Sequence, residues 1–412
     1  MARTMKDSGI EWIGQIPESW KCIKLKYIYD IKKAKLPTAF YDDSSLIPYM
    51  SMDYIRGVDI TPLYAKDGDF CKKNDVLVLW DGSNAGEIII EHPEGYAPST
   101  TAILSPKKKI NEKFAKYYLK FLETQLRKNR TGMGIPHVDG EFLKNAVVVL
   151  PLDNVQEKIA SFLDEKIGEI DAIIIRTKES IEKYKKYKQS VITEVVTKGL
   201  DNTVTMKDSE IEWIGQVPSH WKVHILSQIF MQLKNKNSDL SETNLLSLSY
   251  GKIKRKDINS SDGLLPESFD GYNVVDKNDI VLRLTDLQND HKSLRVGHVK
   301  ERGIITSAYV TLRCKEDIAT DYYYYFLHTF DIFKGFYGMG AGVRQGLNYE
   351  GIRSMKILSP DIEEQQEIVE YLNTKCAEID DLIVKKEAFV EEMEVYKKSL
   401  IYEYVTGKKE VL

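Results

Sequence analysis

Along residues 156–197 positions 159, 163, 167, 170, 174, 177, 181, 184, 188, 191 and 195 fall in alternating steps of three and four. They carry Ile159, Leu163, Ile167, Ile170, Ile174, Thr177, Ile181, Tyr184, Lys188, Val191 and Val195, with Thr177 and Lys188 as polar interruptions. That spacing is a heptad seam and predicts one unbroken helix, roughly 60 Å long at 1.5 Å per residue. The same positions 209 residues later hold Ile368, Leu372, Cys376, Ile379, Ile383, Lys386, Val390, Met393, Lys397, Leu400 and Tyr404. Helices of this length exceed the interior of a small domain. The economical arrangement packs them against each other, antiparallel, so that a pseudo-twofold repeat makes the contact self-complementary; a helix that only caps its own domain is the other reading. Lys386 and Lys397 in an otherwise apolar seam predict a looser second helix.

Between these helices the pattern changes. NDVLVLW (residues 74–80), GEIIIE (86–91), NAVVVLP (145–151), NDIVLRL (278–284) and AYVTLRC (308–314) are short β-rich runs bounded by Gly, Pro, Asn or Asp. Each middle also holds one aromatic helical stretch, KFAKYYLKFLETQL from Lys113 and DYYYYFLHTFDIF from Asp321. Glycine-rich turns come after both, TGMGIPH (131–137) and YGMGAGVRQG (337–346). Strands, helix, glycine turn, strand and long helix occur twice in that order. The expected fold is α+β, two similar globular domains joined by two long helices.

The wording repeats as well as the pattern. MKDSGIEWIGQIPESWK (5–21) and MKDSEIEWIGQVPSHWK (206–222) share 13 of 17 residues. Such self-similarity means two copies of one unit whose ends stay alike while the middles diverge. The expected segments are 1–21, a first domain at 22–150, a helix at 151–205, the repeated motif at 206–221, a second domain at 222–358 and a last helix at 359–412. Trp12, Trp20, Trp213 and Trp221 in the repeated motif are read as packing anchors, with partner binding as the alternative.

Four scattered cysteines without CxxC spacing, and no signal peptide or long apolar run, predict a cytoplasmic protein with neither disulfides nor a cysteine zinc site. The net charge of −4 hides a segregation. Residues 107–144 hold ten Lys or Arg against four Asp or Glu, and residues 359–408 hold six against thirteen. Phosphate-touching middles and protein-touching helices would divide charge this way. No GxxxxGK[ST], GxGxxG after a strand, HExxH, GxSxG or NPP[FY] motif is present, and the seven histidines are not grouped as ligands. The chain is therefore expected to be non-catalytic and to hold no metal or cofactor itself.

Candidate DNA contacts fall in three places. The glycine turns offer Arg127, Lys128, Arg130 and His137 in the first copy and Arg344, Gln345 and Asn348 in the second; a plain helix cap and turn is the other reading. DGSNAG (81–86), with Ser83 and Asn84, aligns with TDLQND (285–290), where Arg283, Thr285, Gln288 and Asn289 are candidates; a solvated hairpin loop is the other reading. Lys107, Lys108 and Lys109, and Lys252, Lys254, Arg255 and Lys256, are either phosphate contacts or solvated faces.

The paired IEWIGQ-P-W openings, the strand-plus-proline endings at Pro151 and Pro360, and the helices QEKIASFLDEKIGEIDAII and QQEIVEYLNTKCAEIDDLI resemble the specificity subunit of type I restriction-modification systems along essentially the whole chain. The resemblance implies two target recognition domains, each reading one half of a split site on double-stranded DNA. It implies helices in an antiparallel coiled coil that dock two modification subunits, with Ile159, Leu163, Ile170, Ile174, Ile181, Ile368, Leu372, Ile379, Ile383 and Val390 as seam residues. S-adenosylmethionine and adenine methylation would belong to those partners, and a translocating restriction subunit can be added to the complex. The competing expectations are a coiled-coil scaffold that binds only protein, and a nuclease or self-sufficient methyltransferase with an unrecognised site.

Overall fold

A computed structural model describes residues 3–108, 110–132, 134–258, 266, 268–287, 290, 294–315, 318–339 and 346–411. It divides into two compact units, Met1–Lys178 with Ala388–Leu412, and Glu179–Glu387. The units do not coincide with the sequence segments. Each takes one globular domain, its repeated tryptophan motif, and a part of both long helices.

In the first unit an antiparallel sheet runs in the order Tyr29–Lys33, Thr101–Pro106, Val76–Leu79, Ile88–Ile89. All four residues of Val76–Leu79 are buried because this strand has a core on each face. Val76 and Val78 pack with Phe114, Tyr118 and Leu122 of the aromatic helix Glu112–Lys128. Leu77 packs on the other side with Ala34, Met50, Cys71 and Ile103. A strand covered on both faces reads as a continuous apolar run rather than an alternating one, which is why NDVLVLW stands out in the sequence. A smaller sheet, Leu63–Ala65, Ile47–Tyr49, Gly95–Tyr96, Phe70–Cys71, includes one parallel pairing, Tyr49 with Tyr96.

The second unit repeats this plan. Its sheet runs Phe230–Gln232, Val310–Cys314, Ile280–Leu282, Val296–His298. Ile280 and Leu282 face the aromatic helix Thr320–Ile332, and Val281 faces Leu246, Leu248, Val275 and Ile305. A parallel bridge between Leu245 and Ile304 answers to the Tyr49–Tyr96 pairing. Each domain is closed by its first and last strands, Lys21–Lys24 on Val147–Leu150 and Lys222–Ile225 on Lys356–Ser359.

The long helices are Asp153–Lys198 and Ile362–Val405, of 46 and 44 residues. Their starts are built alike: Gln156 and Gln365, both buried, donate Nε2 to the carbonyls of Pro151 and Pro360 at 2.9 Å. Every position of the expected seam is buried or half-buried. In the first unit the rings of Phe162 and Tyr404 lie 4.5 Å apart, and Lys397 Nζ meets Asp171 Oδ1 at 2.5 Å, so the helix segments run antiparallel. In the second unit Lys188 Nζ meets Asp380 Oδ2 at 2.5 Å, Lys386 lies over the Tyr184 ring at 5.6 Å, and Ile181 packs with Ile379 and Ile383, again antiparallel. The seam lysines therefore do not loosen the helix: Lys188 and Lys397, equivalent in the repeat, each take an aspartate that is also equivalent in the repeat. A purely apolar heptad seam tolerates slippage, and a half-buried ion pair at one position specifies register.

The aromatic helices are tied to the long helices in the same way. Tyr117 donates to Asp164 Oδ1 at 2.7 Å, and Tyr325 donates to Asn373 Oδ1 at 2.9 Å. The tryptophan motif closes each unit. Gly199, at φ +74, ends the first long helix against the Trp221 ring, and Trp221 Nε1 donates to Glu364 at 2.8 Å. Gly407, at φ +70, ends the second against Pro17 and Trp20, where an added Cβ would lie 2.6 Å from the proline ring. Trp12 and Trp213 pack on Phe121 and Phe326 of the aromatic helices. The motif is a packing element.

The ion pairs are testable. Asp171→Lys and Lys397→Asp should each lower stability towards urea, and the double exchange should recover most of the loss, with a coupling of about 1 kcal/mol.

Candidate nucleic-acid interface

In the first unit the loop 81–86 leaves the buried strand Val76–Leu79 and is fastened to the turn 130–137. Gly82 N donates to Pro136 O at 3.0 Å, and Val138 N to Trp80 O at 2.9 Å. The His137 ring Nδ1 lies 2.5 Å from Asp81 Oδ1, and Lys33 Nζ lies 2.9 Å from Asp81 Oδ2. Burial raises the Asp81 carboxyl, but the hydrogen bonds and charges of Lys33 and His137 outweigh it and hold it below the ordinary carboxylate range. Arg130 donates Nη1 to Ser83 O and Nε to Arg127 O, both at 2.8 Å. Gly86, at φ +90, lies so close to the end of the aromatic helix that a Cβ would come within 3.1 Å of Arg127 N. Two loops that are separate candidates in the sequence thus form one lip, on which Ser83, Asn84, Lys128 and Arg130 are exposed and Arg127 and His137 half-buried. Arg127 is also paired with Glu123, at 2.9 Å.

Lys107 and Lys108 are not part of this lip. They lie beyond the far end of Thr101–Pro106, whose first residue pairs with Leu79 beside the lip and whose last pairs with Tyr29. A six-residue strand spans about 20 Å, and Lys107 pairs there with Asp30 at 3.2 Å. Lys109 lies outside the described residues.

The second unit joins its equivalent loops by other chemistry. Leu347 N donates to Leu284 O at 2.8 Å, so the segment after the aromatic helix again lies on the loop that leaves the buried strand. The fastening group is Arg295, which is fully buried. Its Nη1 donates to the carbonyls of Arg283 and Thr285 at 3.0 and 2.8 Å, its Nη2 to those of Asp286 and Asp290 at 3.2 and 2.6 Å, and its Nε to Tyr337 Oη at 3.0 Å. Its backbone N–H donates to Asp331 Oδ2 at 2.6 Å, and burial holds that carboxyl above its ordinary range. Thr285 is exposed and Arg283 half-buried on this loop. Gln288, Asn289, Arg344 and Gln345 lie outside the described residues.

Three second-unit candidates are not on the loop itself. Asn348 is a helix cap whose side chain accepts from Gly351 N at 3.0 Å. Arg255 is taken up by Glu301, with Nε 2.7 and 2.9 Å from its two oxygens. Lys254 is exposed on the ribbon Leu246–Ser249 and Lys252–Arg255. Arg295 itself is not among the residues that the sequence singles out. Four of the partners of its guanidinium are backbone carbonyls, which leave no side-chain signature.

Among the described residues no His, Cys, Asp and Glu group could hold a metal ion, and no helix is long and apolar enough to cross a membrane. The profile of the type I restriction modification DNA specificity domain matches residues 17–183 and, a second time, 218–392. The chain belongs to that family. This specificity subunit is 29% identical over 416 residues to the type I restriction enzyme MjaVIII specificity subunit of Methanocaldococcus jannaschii, covering 96% of this chain and 94% of the relative. It is 24% identical to the putative MjaX specificity subunit of the same organism, covering 96% and 95%. In fold it resembles a solved chain from work on complex assembly and conformational transition of the type I R-M system, with a TM-score of 0.69, 12% identity, and coverage of 96% of this chain and 99% of the other. Specificity subunits are the non-catalytic, DNA-recognising members of restriction-modification systems, and the duplicated match agrees with the two repeats.

Arg295→Lys keeps the charge of this specificity subunit's loop clamp but cannot span four carbonyls from one nitrogen. Urea unfolding should report a loss of about 2–3 kcal/mol, whereas Asp81→Asn at the more exposed lip of the first unit should cost about 1 kcal/mol or less.

Proposed function

We propose that each unit reads one half of a bipartite site on double-stranded DNA, with bases contacted by the lip at 81–86 and 130–137 in the first unit and by the loop at 283–290 in the second. The observation that carries this reading is one framework with two chemistries. A strand buried on both faces ends in a loop fastened to the segment after the aromatic helix in both units, yet the fastening groups and the exposed side chains differ. A reader that must hold its position while changing its text would be built like this. Family membership and the two specificity-subunit relatives support it.

The long helices dock two modification subunits in this proposal, and their length fixes the unread gap between half-sites. S-adenosylmethionine is held by those partners, which methylate adenine, and a restriction subunit adds to the same frame. The R-M work on complex assembly gives the docking reading its support.

Methylome sequencing of cells expressing this chain with its modification partner, against cells expressing the partner alone, tests the reading. The expected result is a new adenine modification at a bipartite motif with a fixed gap. An assembled complex that modifies no motif would favour a protein-binding scaffold.

A further inference from the structure

The hairpin of the second unit, Leu246–Ser249 and Lys252–Arg255, turns in two residues, since Ser249 pairs with Lys252. Both turn residues have positive φ, Tyr250 at +48° and Gly251 at +72°. Such a turn suits the strand twist and is ordinarily filled by Asn-Gly, because a bulky side chain in the left-handed region is strained. Here the first position is a tyrosine, and it is 75% exposed. An aromatic ring held in a costly conformation, in solvent, makes no contribution to the fold that asparagine would not improve.

The rest of the hairpin gives the ring a setting. Register places Leu246, Leu248 and Ile253 on the face that packs into the unit, and Ser247, Ser249, Lys252 and Lys254 on the opposite face. That outer face carries hydroxyls and ammonium groups and no carboxylate. Neither Lys252 nor Lys254 is ion-paired among the described residues, whereas Arg255 on the inner register is held by Glu301. The ribbon is also rigidly seated. Gly297 lies beneath it, with space for no Cβ against Leu248 and Ile253, and Gly251 N donates to Leu294 O at 3.2 Å. Leu294 directly precedes Arg295, whose guanidinium holds the loop 283–290. The tip of the ribbon is thereby fixed beside the loop that reads bases in the proposed function.

We infer that this ribbon is a second DNA-contacting element of the second unit: it enters the major groove of that unit's half-site, Lys252 and Lys254 hold phosphates, and Tyr250 packs on a base edge at the tip. A two-stranded ribbon matches the width of the major groove, where base edges are exposed, and an aromatic ring at its tip packs on an apolar edge such as the C5-methyl of thymine. The inference rests on the bipartite-site reading and adds to it a residue and a groove.

The test uses the full chain assembled with its modification partners and two labelled duplexes. One carries the motif that the wild-type complex methylates; the other has the half-site of the second unit scrambled. Tyr250→Asn should melt at the same temperature or higher, assemble normally, and bind the motif duplex about tenfold more weakly with no change on the scrambled one, because the lost contact is to a particular base edge. Lys252→Gln with Lys254→Gln should weaken both duplexes and reduce the slope of log affinity against log salt by about 1.8, at about 0.9 per phosphate contact. A Tyr250→Asn complex that binds within twofold of wild type overturns the inference and leaves the bipartite reading intact, as does a variant that loses partner assembly instead of DNA affinity. A wild-type complex without salt-dependent duplex affinity overturns both.

Discussion

Neither unit has a complete core of its own repeat. The end of the second long helix, with Leu400, Ile401 and Val405, belongs to the core that holds Trp20, Phe114 and Leu163. The end of the first, with Val191, Val195 and Val196, belongs to the core that holds Trp221, Phe326 and Leu372. Each repeat thus donates its last turns to the other unit. This reciprocal, antiparallel exchange is the constraint on which the rest depends. It requires the seam to keep one register in both units, and the paired Lys397–Asp171 and Lys188–Asp380 contacts, each at 2.5 Å, serve that need. It also accounts for the near-identity of the tryptophan motifs: each must receive a helix end, closed by Gly199 in one unit and Gly407 in the other. Shared function at the frame leaves little room to drift.

The middles are free to diverge because their framework is set by burial, not by side-chain identity at the surface. A strand with a core on both faces needs only apolar residues, and Val76–Leu79 and Ile280–Leu282 supply them in different words. The loop that leaves the strand is open to change. One unit fastens its loop with the Asp81, Lys33 and His137 cluster near the surface; the other sinks a guanidinium under the loop and satisfies it with four carbonyls. A buried arginine with its donors filled tolerates burial that an unpaired one would not.

Much of this is legible in the sequence. The seam is a local periodic signal and the duplication is literal, so both helices and the two-domain plan can be read directly, as can strands such as Val147–Leu150 that form continuous apolar runs. The aspartates that answer the seam lysines are not legible, because Asp171 and Asp380 lie off the seam and become neighbours only when two helices pair. The smaller sheets go unread because strands of two or three residues such as Phe70–Cys71 carry too little pattern. Basic residues can be counted but not sorted: Arg130 reaches the lip, Lys107 lies a strand's length away, and Arg255 is spent on Glu301. Only chain topology separates them.

If the frame is symmetric and each domain reads independently, the domains should be interchangeable at equivalent joints. The closing strands pair Lys21 with Leu150 and Lys222 with Ser359, which defines those joints. The most direct measurement is therefore the methylation motif of a chain in which residues 222–359 are replaced by a copy of residues 21–150, assembled with the same modification partner. The account predicts a palindromic bipartite motif built from the half-site of the first unit read twice in opposite directions. An assembled, active complex whose motif is unchanged, or has two unlike halves, would contradict it.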